Sequence, residues 1–285
     1  MELPDIEIQG RKCIKLPWEP IWVYPIGDVQ LGQQGCDKRR LKEHIKEGLD
    51  RGAWFLGMGD MTDVLSPGNR QSYRSSSMYE TARQAMVDMA ERSVEELLGL
   101  FKGTEGKWLG MLHGDHFFPF EDGTTTDTRL AQALGATYLG SCSMIGLTFA
   151  RGKCRQRYVI FCHHGCGNGI MPFSPLNKLY HVMNSFEADA YFIGHQHKMP
   201  SVSIPRMYLS DQPPYRLIAK IKRLAGTGGW FEGYHVGSTA PGTDRPEGSY
   251  VEQGLLPPVA IGGVRLLIKP THRHDRDFID ARLET

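Results

Sequence analysis

Cysteine is scarce. The six residues Cys13, Cys36, Cys142, Cys154, Cys162 and Cys166 in 285 are too thinly spread for a disulfide framework, so reduced thiols are expected. No apolar run approaches the roughly eighteen residues that a membrane span requires. Residues 1–5 carry neither a basic region nor the apolar core of a leader, and the chain reads as cytoplasmic with no membrane partner. An excess of one charge is lacking too. With 33 Lys and Arg against 32 Asp and Glu the net charge is +1, so no global field draws nucleic acid or an anionic surface, and any polyanion must be met locally. There is no internal repeat and no low-complexity tract. At 40% hydrophobic, 10% aromatic and 23% charged residues, the collagen-like, disordered and coiled-coil classes are excluded.

What the chain does have is a series of short apolar runs that end in Gly with Asp or His. Ile21 to Ile26 runs into Gly27-Asp28, Ala53 to Met58 into Gly59-Asp60, and Trp108 to Leu112 leads to Gly114-Asp115-His116. Tyr158 to Cys162 precedes His163-His164-Gly165, and Ala190 to Ile193 precedes Gly194-His195-Gln196-His197. Between them lie helical patterns. Leu41, Ile45 and Leu49 share one face of a helix over about Asp37 to Arg51, and a longer helix is expected from about Met78 to Phe101. Strands alternating with helices predict a layered α/β domain, in which polar residues at successive strand ends form the ligand site. After Lys198 short β-type runs (Tyr215 to Ile221, Trp230 to Val236, Val259 to Ile268) suggest a meander or a second sheet closing the domain. We therefore expect a single domain over 1–270, with the motifs in 27–197 and the closing β-segments in 198–270, followed by a polar tail over 271–285.

The strand-end residues Asp28, Gln30, Asp60, Asp115, His164, His195 and His197 supply three carboxylates, an amide and three imidazoles. Oxygen and nitrogen donors without thiolate suit a pair of divalent ions such as Mn²⁺, Mg²⁺, Fe or Zn²⁺, and a shared carboxylate can bridge them. The spacings from Asp28 to Asp60, Asp115, His164 and His195 are 32, 55, 49 and 31 residues in turn, each room enough for a strand-helix-strand excursion. The segment Cys162-His163-His164-Gly165-Cys166 offers a competing Cys/His zinc reading, but adjacent residues at a strand end point to opposite sides and paired CxxC spacing is absent, so inert buried thiols are expected.

In this order, GDVQ, GDMTD, HGDHF, HHG and GHQH resemble the five motifs of the calcineurin-like metallophosphoesterase superfamily (DxH, GDxxD, GNH[DE], H and GHxH) over Gly27 to His197, about 60% of the chain. The resemblance implies a two-sheet β-sandwich flanked by helices, a four-layer α/β/β/α fold. It implies one metal on Asp28, Gln30, Asp60 and His197, and another on Asp60, Asp115, His164 and His195. His164 is taken over His163 because the motif histidine is often followed by Gly. Asp60, as the bridge, and His116, facing the phosphate, are the implied catalytic residues.

Three positions depart from the motifs. Gln30 replaces His with an amide oxygen, which tilts the ions toward Mn²⁺ or Mg²⁺ and is similar to the manganese-dependent ADP-ribose/CDP-alcohol diphosphatase branch. Asp115 replaces Asn, adding an anion that tightens metal binding and lowers Lewis acidity. Phe117 replaces an acidic residue, leaving His116 without a carboxylate next in sequence. The stretch from Gly27 to Gly32 resembles the D-x-H-L-G opening of DNA double-strand-break repair nucleases and UDP-diacylglucosamine hydrolases, and the GDxxDRG of protein Ser/Thr phosphatases is absent. A phosphodiesterase acting on nucleic acid or nucleotides is thus expected. The alternatives are a nucleoside-diphosphate-linked pyrophosphatase or phosphomonoesterase, and a decayed scaffold; a partner ATPase or a homo-oligomer stays open. A loop over Ser66 to Arg74 is expected near the metals, with Arg70 and Arg74 pairing phosphate and Tyr73 stacking a base.

Overall fold

Each apolar run between residues 21 and 193 becomes a strand because it is buried on both faces, which is why these runs are continuous rather than alternating. The computed structural model describes residues 12–75, 79–167, 169–210, 213–239, 243–273 and 276–285. In chain order the elements are β1 (Lys12–Pro17), β2 (Ile21–Ile26), α1 (Lys38–Asp50), β3 (Trp54–Gly57), α2 (Pro67–Ser75), α3 (Glu80–Leu100), β4 (Trp108–Met111), α4 (Thr126–Ala133), β5 (Cys142–Arg151) and β6 (Cys154–His163). They continue with α5 (Ser174–Val182), β7 (Ala190–Ile193), β8 (Ser201–Leu209), β9 (Leu217–Gly226), β10 (Gly228–Gly229), α6 (Tyr250–Gln253), β11 (Gly262–Gly263), β12 (Arg265–Arg273) and β13 (Arg276–Glu284).

Two sheets carry the fold, one in the order β13-β12-β2-β3-β4 and one in the order β1-β5-β6-β7-β9-β8. Strands β2, β3 and β4 run parallel, as do β6, β7 and β9. Between the sheets lies a core of Val23, Leu56 and Leu109 from one side and Ile145, Leu147, Ile160 and Phe192 from the other. The opposite face of the first sheet, with Tyr24, Phe55 and Trp108, is covered by Leu41 and Ile45 of α1, Leu97 of α3 and Leu130 of α4. Leu179 of α5 covers Phe161 and Tyr191 on the outside of the second sheet. The result is the four-layer α/β/β/α sandwich implied by the resemblance.

Three expectations are corrected. The β-rich segment after Lys198 is not itself the second sheet. It is divided, β8 and β9 extending the sheet of β6 and β7 while β12 and β13 extend that of β2. The segment from Trp230 to Val236 is irregular apart from a bridge between Phe231 and Cys36, because its backbone is drawn to loops: Trp230 N donates to Asp28 O at 2.9 Å, and Glu232 N to Gly35 O at 2.8 Å. Residues 271–285 are no tail. β13 pairs with β12 from Arg265↔Glu284 to Arg273↔Arg276, with Ala281 buried and Ile279 and Leu283 packed on the core between the sheets. Those three alternate with Asp280, Arg282 and Glu284, a period-two signal hidden by the density of charge.

Candidate metal centre

The two sheets aim their parallel strand ends at one place. Asp28 and Gln30 follow β2, Asp60 follows β3, and Asp115 and His116 follow β4; from the other sheet come His164 after β6, and His195 and His197 after β7. Five of these residues have left-handed backbones: Asp28 (φ 49°), Gln30 (52°), Asp60 (51°), His195 (68°) and His197 (54°). Among the described residues, Leu255 is the one other non-glycine with positive φ. Each such conformation costs on the order of 1 kcal/mol, and strain of this kind persists where the surroundings impose it at functional positions. Here the loops are locked to each other by Asp28 N to Gly59 O at 3.0 Å and Gln30 N to Asp60 O at 3.1 Å. The close approach requires glycine at 114, where a Cβ would lie 2.0 Å from the Asp60 amide nitrogen.

Asp60 sits at the centre. Its Oδ1 accepts from the backbone N–H groups of Asp115 and, at 2.9 Å, His116. That leaves Oδ2 facing His164 Nε2 at 3.4 Å, Gln30 Nε2 at 3.3 Å and His116 Nε2 at 4.0 Å. Asp115 Oδ2 lies 3.1 Å from His195 Nδ1 and 3.7 Å from His164 Nε2. Asp60, His164 and His195 bring ligand atoms within 4.8 Å of one another. His164 Nδ1 meets the Met58 carbonyl at 2.7 Å, an acceptor only, so Nδ1 keeps a proton in either charge state and Nε2 is the nitrogen turned to the site, where a cation can replace its proton. His163, whose Nδ1 accepts from Gly165 N at 2.7 Å, is not drawn in.

The chemistry of the donors fits divalent cations. Asp28, Gln30, Asp60 and His164 are buried, and Asp28 Oδ1, Gln30 Oε1 and His164 Nε2 have no hydrogen-bond partner. Buried polar atoms without partners are costly, and here they converge from two loops, one on each sheet. Burial, reinforced by the charge of Asp60, raises the Asp28 carboxyl to about 8 despite the nearby His164. For His164 burial acts downward, but Asp60 outweighs it and lifts the imidazole to about 10, while burial pulls His197 down to about 4. A cation thus competes with protons at Asp28 and His164 and finds the His197 imidazole already neutral.

His116 has a carboxylate after all. Its Nδ1 lies 2.6 Å from Asp63 Oδ1, and Asp63 Oδ2 accepts from Gln33 Nε2. Burial alone would lower the His116 imidazole, yet Asp63, with Asp60 and Asp115, holds it above its usual range. Asp63 is the last residue of GDMTD, a signal present in the sequence but not tied to His116, because the pair is 53 residues apart.

The segment of the expected phosphate-binding loop forms α2, and the Arg70 and Tyr73 side chains have other partners. Arg70 Nη1 donates to the carbonyls of Leu65 (2.8 Å), Asp115 and Phe117 (3.4 Å), and its guanidinium covers the Phe117 ring at 4.0 Å. It therefore holds the loop that carries Asp115 and His116. Tyr73 packs against Phe118 at 5.6 Å in a satellite cluster. The Arg74 side chain lies outside the described residues. Cys162 is a buried thiol, as expected, whereas Cys166 is exposed.

No family model matches the chain, and no curated protein does. Solved structures similar to it include Vacuolar Protein Sorting 29 from Cryptosporidium parvum, at 14% identity and TM-score 0.34 over 94% of this chain and 99% of that one. A metallophosphoesterase from Sphaerobacter thermophilus is 12% identical with TM-score 0.33, over 88% of this chain and 84% of that one. A predicted phosphoesterase from Streptococcus pneumoniae is 12% identical with TM-score 0.31, over 87% and 82%. At these values none of the likenesses bears on the chemistry of the site, which is read from this chain's own residues.

Proposed function

We propose that the chain is a metal-dependent phosphoesterase that holds two divalent ions, Mn²⁺ preferred, and hydrolyses phosphodiesters of nucleic-acid or nucleotide type. The observation that carries this reading is the convergence of buried, unpartnered oxygen and nitrogen donors from both sheets on Asp60. Asp28, Gln30, Asp60 and His197 would hold one ion, and Asp60, Asp115, His164 and His195 the other. When bound, such a pair supplies Lewis acidity at the phosphoryl group and a water acidic enough to attack near neutral pH.

The chain's own residues do the rest. Asp60 keeps one oxygen on backbone amides and the other toward the donors, so its orientation is set in advance. Asp63 fixes the His116 ring with its Nε2 toward the centre and supports its proton, so His116 can deliver that proton to a departing oxygen. Arg70 keeps the Asp115–Phe117 backbone in place. The amide oxygen of Gln30, buried and without a partner, favours Mn²⁺ or Mg²⁺ over Zn²⁺. No described helix is long and apolar enough to cross a membrane.

The test is metal content and turnover together. After Mn²⁺ loading and dialysis the chain should retain two ions and cleave bis-p-nitrophenyl phosphate, and Asp60→Asn should lose both. One ion or none, or turnover indifferent to Asp60→Asn, overturns the reading.

A further inference from the structure

The proposed reaction needs the metal centre and His116, but the centre opens into a cavity of about 920 Å³ that extends well past them. Its far wall comes from segments remote in sequence, including Phe231, Tyr250, Leu256 and Ile261. The aromatic rings are ordered outward from a candidate metal ligand. His197 meets the Phe231 ring edge-on at 6.2 Å and 71°, and Phe231 stacks on Tyr250 at 5.3 Å with the planes 4° apart. Phe231 is 2% exposed but Tyr250 is 46% exposed, so the series ends in an accessible ring. Tyr250 lines the same cavity as Asp60, Asp63 and His116.

The platform is held rigidly. Ser249 Oγ caps α6 by accepting from Val251 N at 3.1 Å and Glu252 N at 3.3 Å, and it also donates to Gly233 O. Tyr234 OH donates to Leu256 O at 2.7 Å, so the segments bearing Phe231 and Tyr250 are tied together.

We propose that Tyr250, backed by Phe231, is the stacking platform for the planar base of a single nucleotide-type phosphodiester whose phosphate lies at the metal centre. This deepens the phosphoesterase reading and rests on it. An aromatic ring accepts a third layer at low entropic cost because it is fixed before binding. A cavity of this size matches a nucleotide-sized ligand. The cavity offers a polymer little to follow: among the described residues its Lys and Arg are Arg40 and Lys198, and Lys198 Nζ donates to the carbonyls of Gly169, Ile170 (3.3 Å) and Met171 (3.1 Å). Asn69 and Arg40 line the same cavity with hydrogen-bonding groups that a base edge can use and an alkyl chain cannot.

The test compares p-nitrophenyl esters of thymidine 5′-phosphate, methyl phosphate and decyl phosphate, which share one leaving group. The Mn²⁺-loaded protein should favour the thymidyl over the methyl ester in kcat/KM by about 10-fold, the range of one stacking contact. Tyr250→Ala should bring that ratio to near one through KM, and Tyr250→Phe should keep it. Thymidine 5′-monophosphate titrated into wild type and Tyr250→Ala by calorimetry gives a readout independent of turnover, with about 10-fold weaker binding expected in the variant. Diesters cleaved with equal kcat/KM, or the decyl ester preferred, overturn the platform and leave the phosphoesterase reading standing. No turnover of any diester overturns the phosphoesterase reading. In that case a weakened titration in Tyr250→Ala upholds the platform, and no binding to wild type overturns it.

Discussion

Asp63 and His116 are 53 residues apart in sequence, and their side chains meet at 2.6 Å. With Phe117 rather than a carboxylate next in sequence, His116 is served from the neighbouring strand end. Asp63→Asn keeps the shape but removes the charge that supports the His116 proton. Its effect should depend on the leaving group: kcat for an alkyl diester should fall about 100-fold, the low end of general acid catalysis, and that for a p-nitrophenyl ester much less. Equal losses on both would mean that Asp63 only fixes the loop. The candidate metal ligands are legible in the sequence because each ends an apolar run. The pairing of Asp63 is not, because nothing in a linear pattern says which loops face each other. A second residue shows the same limit. His44, which no pattern in the sequence marks, is 5% exposed, with its ring 4.8 Å from Tyr24 and 5.0 Å from Trp230. Burial, aided by Arg265, pulls it down to about 3. The unfolded chain then takes up a proton near pH 6.5 that the folded chain refuses, so stability is full above that pH and is lost as pH falls toward 3. Between pH 6.5 and 4.5 the loss should be about 2–3 kcal/mol. Chemical denaturation of His44→Phe across this window should show a slope shallower by that amount, and parallel slopes would rule out His44 as the cause.

At the scale of elements, α2 changes role most between sequence and structure. Gly68, Asn69 and the flanking Ser66 and Pro67 read as a loop, but Pro67 begins a helix whose Arg70 reaches the carbonyls of Leu65, Asp115 and Phe117. Arg70→Ala leaves those acceptors and the Phe117 ring uncovered, which should cost about 1–3 kcal/mol and shift Asp115 away from the centre. The expected signature is a joint loss: thymidyl and methyl esters should fall together, and Mn²⁺ retention should weaken. Had Arg70 met the substrate directly, only KM for the larger substrate would move, and that outcome would restore the role expected from the sequence. The strands show where periodicity succeeds and where it fails. β2, β3, β4, β6 and β7 are legible within a few residues because burial on both faces makes them largely apolar where they approach the site. β13 is not, since one face of it is charged. Which sheet a late strand joins depends on contacts far away in sequence.

For the whole molecule, the site lies where two sheets meet. Asp28, Gln30, Asp60 and Asp115 belong to the strand ends of one sheet, and His164, His195 and His197 to those of the other. Direct ties between the two sides are polar: His195 N donates to Asp28 Oδ2 at 2.8 Å, His164 Nδ1 to Met58 O at 2.7 Å, and the His195 and His164 rings face the carboxylates of Asp115 and Asp60 at 3.1 and 3.4 Å. A cation held from both sides therefore acts as a cross-link on top of the shared core. Because it binds the folded chain and finds no assembled site in the unfolded one, it should stabilise by about 2.7 kcal/mol at 100 times Kd. At roughly 2–4 °C per kcal/mol, saturating Mn²⁺ should raise Tm by about 5–10 °C. The same linkage separates site from scaffold. Asp28 is fully buried beside Asp60, with Oδ1 unpartnered, so without metal the fold must either take up a proton there or bury a charge, a burden in both cases. Asp28→Asn keeps the volume and the acceptor for His195 N while removing that burden. In chelator the variant should melt at the wild-type temperature or above it, and the rise on adding Mn²⁺ should be largely lost. Scanning calorimetry of both proteins with and without Mn²⁺ checks this, and an equal rise in the two would place the cation away from the strand ends where these sheets converge.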